Sequence, residues 1–208
     1  MSLLFETIQL QNRKLHNLAY HNQRMHKSRT ELLGIDKEVS LAEFINIPDW
    51  VGEGLYRCRV SYEHDIEKVE FFSYKPVHPG RIDLIENRQL EYPYKFEDRS
   101  GFRQMLNQNP EADDLIILHN GMLTDATFAN VAFYDGSQWL TPDTPLLKGT
   151  KRQFLLDSGV LKEASIKAED LKYFSQLALI NAMRDLDIIY KYRFNDNYLL
   201  IQSNNLNT

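Results

Sequence analysis

A chain of 208 residues has room for one compact domain or two small ones, so an array of large domains is excluded. Its composition, 43% hydrophobic and 25% charged with only 9 glycines and 7 prolines, is that of a soluble globular protein and excludes collagen-like or disordered chains. The net charge of −5 argues against a duplex nucleic acid as partner, because proteins that bind duplexes are basic.

Several other classes of protein are also excluded. The single cysteine, Cys58, cannot form an internal disulfide or a zinc site of paired cysteines. The histidines lack the spacing of H-E-x-x-H, so we expect no metal. The first residues lack the apolar stretch of a signal peptide, and no apolar run is long enough to cross a bilayer. We therefore expect a cytoplasmic protein with no membrane contact.

The first half of the chain predicts helices followed by strands. The spacing of apolar residues predicts a helix over residues 14–33 that Gly34 stops, and a short helix over residues 41–45. A period of two then predicts strands over residues 55–62 and 66–74, and a further strand follows at residues 82–85. Within the first strand, Arg57, Arg59 and Ser61 share one face.

The second half contains more strands, joined by glycine turns. Helices are predicted over residues 98–107, 150–157 and 168–174, and strands over residues 114–119, 130–134, 138–141, 177–180, 187–194 and 198–202. The pairs Asn120-Gly121 and Asp135-Gly136 indicate tight hairpin turns. Because hairpins prevail, we predict an α+β fold of a small domain, residues 1–90, and a larger strand-rich domain, residues 91–208, with the site in the cleft.

Four short segments, in their order and spacing, carry the chemistry. They are residues 21–24 (H-x-x-R), 94–99 around Lys95, 120–130 (with T-[ED]-x-x-x-x-N) and 146–150, which ends in Gly149-Thr150. This set resembles the fold-type IV (class IV) pyridoxal-phosphate enzymes, which include aminodeoxychorismate lyase and the branched-chain and D-amino-acid aminotransferases. The resemblance extends from Phe5-Glu6-Thr7 to Asn181-Ala182. It implies pyridoxal 5'-phosphate as cofactor.

The resemblance assigns two residues to the reacting end of the cofactor. Lys95 matches the family's Schiff-base lysine, and an apolar position near other cations would favour its unprotonated amine. By itself, a surface lysine at a strand end is the alternative. Asp125 matches the carboxylate that keeps the ring nitrogen protonated, where most relatives have Glu. The alternative for Asp125 is an ordinary turn aspartate.

The resemblance also implies a phosphate site. Arg24 would bind the phosphate through its guanidinium, although periodicity places Arg24 on the helix face where exposure to solvent is the default. Gly149 and Thr150 would add backbone N–H groups and a hydroxyl at a helix start, for which a plain N-cap is the alternative. Asn181 and Ala182 resemble a second backbone element near the phosphate or the substrate.

The substrate side departs from the family. Arg57 aligns with an arginine that some members use for a substrate carboxylate, and Arg59 shares its face; pairing of both with Glu67 or Glu70 is the alternative. The family's Arg-Gly turn, its N-terminal first strand and its glycine-rich segment ahead of Phe5-Glu6-Thr7 are missing from the pattern, which is expected to remove pocket walls.

For this reason we predict an aminodeoxychorismate-lyase-like reaction that releases pyruvate and an aromatic amine from a small amino substrate. Amino-acid transamination, with branched-chain or D-amino acids, is the alternative. A non-catalytic relative that keeps the fold as a binding or scaffolding module is the alternative from another class. The resemblance further implies a homodimer.

Overall fold

The computed structural model describes residues 3–202, and it confirms the predicted α+β class. Over this range the chain divides into two compact units. Unit 1 comprises residues 3–76 and Tyr94–Asp98, and unit 2 comprises Val77–Pro93 and residues 99–202.

Unit 1 is an antiparallel sheet with one long helix. Its elements are strands β1 (Leu4–Gln11), β2 (Lys14–Leu15), β3 (Leu55–Tyr62) and β4 (Ile66–Ser73), helix α1 (Leu18–Leu33) and a 3₁₀ turn at Leu41–Glu43. The strands lie in the order β2-β1-β3-β4, with β1 paired along its whole length to β3. β1 is not predicted from the sequence, because it has a glutamate at a position where the alternation calls for an apolar residue. The helix predicted over residues 14–33 begins only at Leu18, and Lys14–Leu15 forms β2 instead.

The core of unit 1 lies on one face of this sheet. Leu4, Ile8 and Leu10 alternate along β1 and are buried, and they pack with the buried residues of β3 and with Met25 of α1. Glu6 lies in the same alternation and is also fully buried. A charged group in this position requires partners, since an unpaired buried charge is strongly destabilising.

Helix α1 supplies those partners from its polar side. Its buried residues are His21, Met25, Ser28 and Arg29, whereas the apolar Leu32 is 36% exposed. His21 and Ser28 are thus buried, although periodicity alone makes solvent exposure the default for the helix face of Arg24. The predicted C-terminal stop is confirmed: Gly34 has a φ of 69° and its N–H donates to Arg29 O and Thr30 O.

Unit 2 contains a nine-stranded sheet and two helices. The strands are β5 (Arg81–Glu86), β6 (Asp114–His119), β7 (Met122–Ala126), β8 (Asn130–Tyr134), β9 (Trp139–Pro142), β10 (Leu161–Ala164), β11 (Gln176–Ile180), β12 (Ile189–Asn195) and β13 (Tyr198–Gln202); the helices are α2 (Ser100–Gln108) and α3 (Thr150–Asp157), with a 3₁₀ turn at Ala168–Tyr173. Their order is β10-β9-β8-β11-β12-β13-β5-β6-β7. β7 also pairs with β8, so the sheet closes on itself.

The hairpin that leads into β7 follows from its turn residues. Asn120 and Gly121 both have positive φ, 55° and 75°, as a type I′ turn requires. β8 and β11 then pair in antiparallel register and are buried along most of their length, with Val131, Phe133 and Leu177 in the core of the unit. The pairing of β7 with β8 places Asp125 opposite Asn130.

The division into units differs from the predicted boundary near residue 90. β5 pairs with β6 and β13, which assigns Val77–Pro93 to unit 2. Tyr94–Asp98 belongs instead to unit 1, because Phe5 N donates to Lys95 O (3.0 Å) and Glu97 N donates to Leu3 O (2.8 Å). Lys95 is therefore in the smaller unit, whereas the sequence analysis places it in the larger domain.

Among the helices of residues 3–202, none combines the length and the apolar character needed to span a membrane.

Candidate functional site

Lys95 lies on the segment Tyr94–Asp98, beside β1 in unit 1. Its Nζ is 4.8 Å from the centre of the Phe5 ring. The Arg59 guanidinium lies over the same ring at 4.2 Å, so two cations contact one aromatic side chain. Lys95 is thus half-buried, and its amine shares the Phe5 ring with a second cation.

The predicted phosphate ligand Arg24 is bound by the buried carboxylate of Glu6. Arg24 Nε donates to Glu6 Oε1 at 2.9 Å and Nη2 donates to Oε2 at 2.5 Å, which is a bidentate pair. His21 Nδ1 lies 2.6 Å from Glu6 Oε2. Burial raises the pKa of Glu6, but the Arg24 charge and the bond from His21 outweigh it and lower the pKa to about 2.

His21 completes this cluster as a neutral donor. Burial lowers the pKa of His21, and the positive charges of Arg24 and Lys95 act in the same direction, against the carboxylate of Glu6. Because Glu6 is ionised, the short contact requires the His21 proton on Nδ1. Glu6, His21 and Arg24 are named the Glu6 triad below. Glu6 is not among the predicted site residues, although an acidic residue between Leu4 and Ile8 in a buried alternation is a signal for such a role.

Arg57 and Arg59 have different environments. Arg59 Nη2 donates to Glu97 Oε1 (2.5 Å), to which Ser61 Oγ also donates (2.7 Å). Arg57 lies over the Phe72 ring at 5.0 Å, and within the described part of the chain its buried Nε has no hydrogen-bond partner. The alternative pairing with Glu67 or Glu70 is wrong.

Glu70 pairs with Lys68 instead (2.6 Å). The carboxylate that does bind Arg59, Glu97, comes from the segment of Lys95 and not from the hairpin. Burial raises the pKa of Glu97, but the bonds from Ser61 and Arg59 give a net lowering.

In unit 2, Asp125 is buried and both of its oxygens accept hydrogen bonds. Asn130 Nδ2 donates to Oδ1 (2.6 Å) and Leu147 N donates to Oδ2 (2.9 Å). Burial nevertheless dominates and raises the pKa of Asp125 to about 6. Each carboxylate oxygen has two lone pairs, so the side chain keeps capacity for a further N–H donor.

Gly149 and Thr150 lie at the start of α3, next to this carboxylate. Asn130 Nδ2 also donates to Leu147 O (2.9 Å), which connects the Asp125 pair to the turn before the helix. Gly149 is the N-cap residue and Thr150 is buried. The first N–H groups of a helix have no partner within it, and the first turn of α3 contains no acidic residue. Its basic residues, Lys151 and Arg152, pair with Asp185 (2.6 Å) and Glu163 (2.7 Å). The N–H groups at the start of α3 suit an anion.

Asn181 and Ala182 form a tight turn directly after β11. Asn181 and Arg184 exchange backbone hydrogen bonds of 3.1 and 3.2 Å, and Asn181 Oδ1 accepts from Met183 N (2.8 Å). Asn181 Nδ2 donates to Phe128 O at 3.2 Å. The turn is therefore held by its own side chain.

The predicted site residues thus form local groups in both units. Unit 1 contains Arg24, Arg57, Arg59 and Lys95, and unit 2 contains Asp125, Gly149, Thr150, Asn181 and Ala182. Within residues 3–202 no group of three or more His, Cys, Asp or Glu side chains could hold a metal ion. Glu6, Glu97 and Asn130 bind predicted site residues but are not themselves predicted.

Comparison with known proteins gives one family match and several similar proteins. The family described as amino-transferase class IV matches residues 103–189. An uncharacterized protein of Haemophilus influenzae is 34% identical over 185 residues, which are 88% of this chain and 98% of that protein. The crystal structure of a provisionally assigned 4-amino-4-deoxychorismate lyase from Haemophilus somnus is 33% identical, with a TM-score of 0.82 over 89% of this chain and 98% of its own.

A provisionally assigned Mycobacterium tuberculosis aminotransferase in its PLP-bound form shares the fold, with a TM-score of 0.71 and 17% identity over 88% of this chain and 77% of its own. The architecture is thus that of fold-type IV pyridoxal-phosphate enzymes. The chain belongs to the class IV aminotransferase family, whose members bind pyridoxal phosphate.

Proposed function

We propose that this protein is a pyridoxal-phosphate-dependent enzyme that acts on an amino substrate in an aminodeoxychorismate-lyase-like reaction, with release of pyruvate and an aromatic amine. The observation that carries the cofactor assignment is the position of Lys95, whose amine lies against Phe5 among cations. The similarity to the Haemophilus somnus lyase over nearly its whole length supports the reaction.

In this proposal each chemical group of the cofactor has a residue of suitable chemistry. Lys95 would bind its aldehyde, and Asp125 would face the ring nitrogen as a buried carboxylate. Arg24, with the N–H groups after Gly149 and the Thr150 hydroxyl, would bind the phosphate, and Asn181 and Ala182 would lie near it.

When bound, the cofactor supplies an electron sink for the charge left by removal of the substrate α-proton. The protein's own groups then have two tasks. Lys95 would accept and return that proton at Nζ as a general base. Asp125 would keep its negative charge beside the ring nitrogen, and its bonds from Asn130 and Leu147 fix its orientation. Arg57, with Arg59, would face a substrate carboxylate.

The cofactor assignment is tested by the visible absorbance of the purified protein incubated with pyridoxal phosphate. We expect a visible band that borohydride abolishes, together with a mass increase equal to the reduced cofactor on a peptide containing Lys95. Lys95→Ala should give neither. A folded wild-type protein that takes up no cofactor would refute the proposal and favour a non-catalytic binding module.

The reaction is tested with aminodeoxychorismate and with a panel of L- and D-amino acids. Release of pyruvate without an added keto acid supports the lyase. Product formation only with a keto-acid acceptor would overturn it in favour of an amino-acid aminotransferase, the reaction in the family's name.

The family resemblance also leads us to propose a homodimer in the cytoplasm. Sedimentation equilibrium of the purified protein should give twice the 24.4 kDa chain mass. A mass of one chain at micromolar concentration would contradict the dimer.

A further inference from the structure

We propose that Glu6 is a positioning residue that fixes the Arg24 guanidinium for a phosphate group. This inference rests on the proposed function, in which Arg24 binds the cofactor phosphate. It assigns the buried carboxylate on β1 to the phosphate end of the site and not only to the folding of unit 1.

The geometry gives Glu6 control over the direction of the guanidinium. Glu6 binds the Nε and Nη2 edge of Arg24 through two hydrogen bonds of 2.9 and 2.5 Å. A planar guanidinium bound along one edge can rotate little, so the N–H donors that point away from Glu6 have a set direction. A phosphate bound by Arg24 would contact those donors.

The backbone that carries Glu6 is held in place by the sheet. β1 lies between β2 and β3 in the sheet, and Glu6 is paired with Val60 of β3. Its side chain is fully buried and its Oε2 also contacts His21 at 2.6 Å. Without Glu6, a long arginine side chain on a helix surface would sample several rotamers, and ordering it would reduce the affinity for a phosphate.

The charges of the Glu6 triad require a carboxylate and not an amide. Arg24 donates two hydrogen bonds and His21 donates one, so all three contacts need acceptors. A glutamine has one acceptor oxygen, and its NH₂ group would meet an N–H donor of Arg24 or His21. Glu6→Gln therefore changes little volume but removes the bidentate contact.

The test compares pyridoxal phosphate with pyridoxal, which lacks the phosphate, by absorbance titration of the full chain. Glu6→Gln should raise the Kd for pyridoxal phosphate by about tenfold or more, the loss expected for a charged hydrogen bond. The Kd for pyridoxal should stay within about twofold of the wild-type value. A purely structural role for Glu6 would weaken both ligands equally.

Asp83→Asn is the matched control, because Asp83 in unit 2 also accepts a bidentate pair, from Arg81, at 2.6 and 3.1 Å. It should change neither Kd. Glu6→Asp keeps the charge on a shorter side chain and should give a smaller selective loss than Glu6→Gln; it also provides the test if Glu6→Gln does not fold.

Equal losses for both ligands, or no loss for either, in a folded Glu6 variant would overturn the inference. If the wild-type protein binds neither ligand, the proposed function itself fails, which is a separate outcome.

Discussion

Gly149 lies so close to Asn130 that a Cβ atom on Gly149 would be 2.0 Å from Asn130 Oδ1 and 3.2 Å from its Cγ. Asn130 could move away only by giving up its hydrogen bonds to Asp125 and Leu147. The absence of a side chain at residue 149 is therefore required by packing and not by an unusual backbone angle, since φ is −68°.

We expect Gly149→Ala to lower the free energy of unfolding by about 1–3 kcal/mol, the usual range for a side chain forced into a packed site. Urea denaturation measures this change. Gly52→Ala is the control, because a Cβ there meets nothing within 4 Å, and it should stay within about 0.5 kcal/mol of the wild type. Equal stability of the two variants would show that the turn before α3 can move without cost.

Asn130→Ala should raise the pKa of Asp125 above its value of about 6, because the Asn130 hydrogen bond is among the contacts that lower it. Titration of ¹³C-labelled carboxyl groups by NMR gives this pKa directly. Asn109→Ala is the control, since Asn109 Nδ2 donates to Met105 O (2.8 Å) and has no bond to Asp125. An unchanged Asp125 pKa in Asn130→Ala would mean that the bond contributes nothing to ionisation.

Asp125 also predicts how stability depends on pH. Its pKa is about 6 in the folded protein, above its ordinary 3.8, so the folded state retains a proton that the unfolded state has lost. The free energy of unfolding therefore falls as pH rises from about 4 to about 6, by up to about 1.4 kcal/mol per pH unit for this group.

Asp125→Asn removes this contribution, and its stability should fall less steeply across that range in urea denaturations at several pH values. Asp114, whose pKa burial also raises to about 6, keeps its own slope in the variant. Glu6 has the opposite effect on the free energy of unfolding, and at lower pH, because its pKa lies below its ordinary 4.5. Parallel curves for wild type and variant between pH 4 and 6 would contradict the prediction.

The ion pair between Arg59 and Glu97 connects β3 to the segment that carries Lys95. We expect Glu97→Gln to loosen this segment and to speed hydrogen exchange of the Phe5 amide, which donates to Lys95 O. A partly exposed pair contributes about 0.2–1 kcal/mol, so the rate should rise about two- to fivefold.

Glu70→Gln, which breaks a similar pair with Lys68, is the control and should leave that amide unchanged. The Ile8 amide, within the paired part of β1, should keep its rate in both variants. A Phe5 rate that responds to neither substitution would exclude a role for Glu97 in holding the segment.

Much of the fold is predictable from local patterns. The bounds of β3, β6, β8, α3 and β13 agree with the prediction; a period of two marks β3, and the Asn120-Gly121 turn follows β6. Other elements depend on distant residues. The sequence of β1 reads as a strand only when it is known that His21 of α1 contacts the buried Glu6. The polar face of α1 is buried because it makes this contact.

The candidate site divides in the same way. The residues named from the resemblance are those that would touch the cofactor or substrate. Glu6 and Glu97, by contrast, can be identified only from their contacts in the structure. Glu6 binds Arg24, which is 18 positions away in the sequence, and Glu97 binds Arg59, which is 38 positions away. No local spacing encodes such contacts. Arg59 pairs with Glu97 and not with Glu70 because the segment Tyr94–Asp98 lies along β1.

That return also has a consequence for biogenesis. The chain leaves unit 1 after Pro76, returns to it at Tyr94 and leaves it again after Asp98. In unit 2, β5 pairs with β13, which ends at Gln202. Since nascent chains fold as their parts emerge from the ribosome, unit 1 is complete only after Asp98 has emerged, and unit 2 only after β13 has emerged. A polypeptide released before Tyr198 would leave one edge of β5 open to pairing with other chains, which makes premature termination an aggregation hazard.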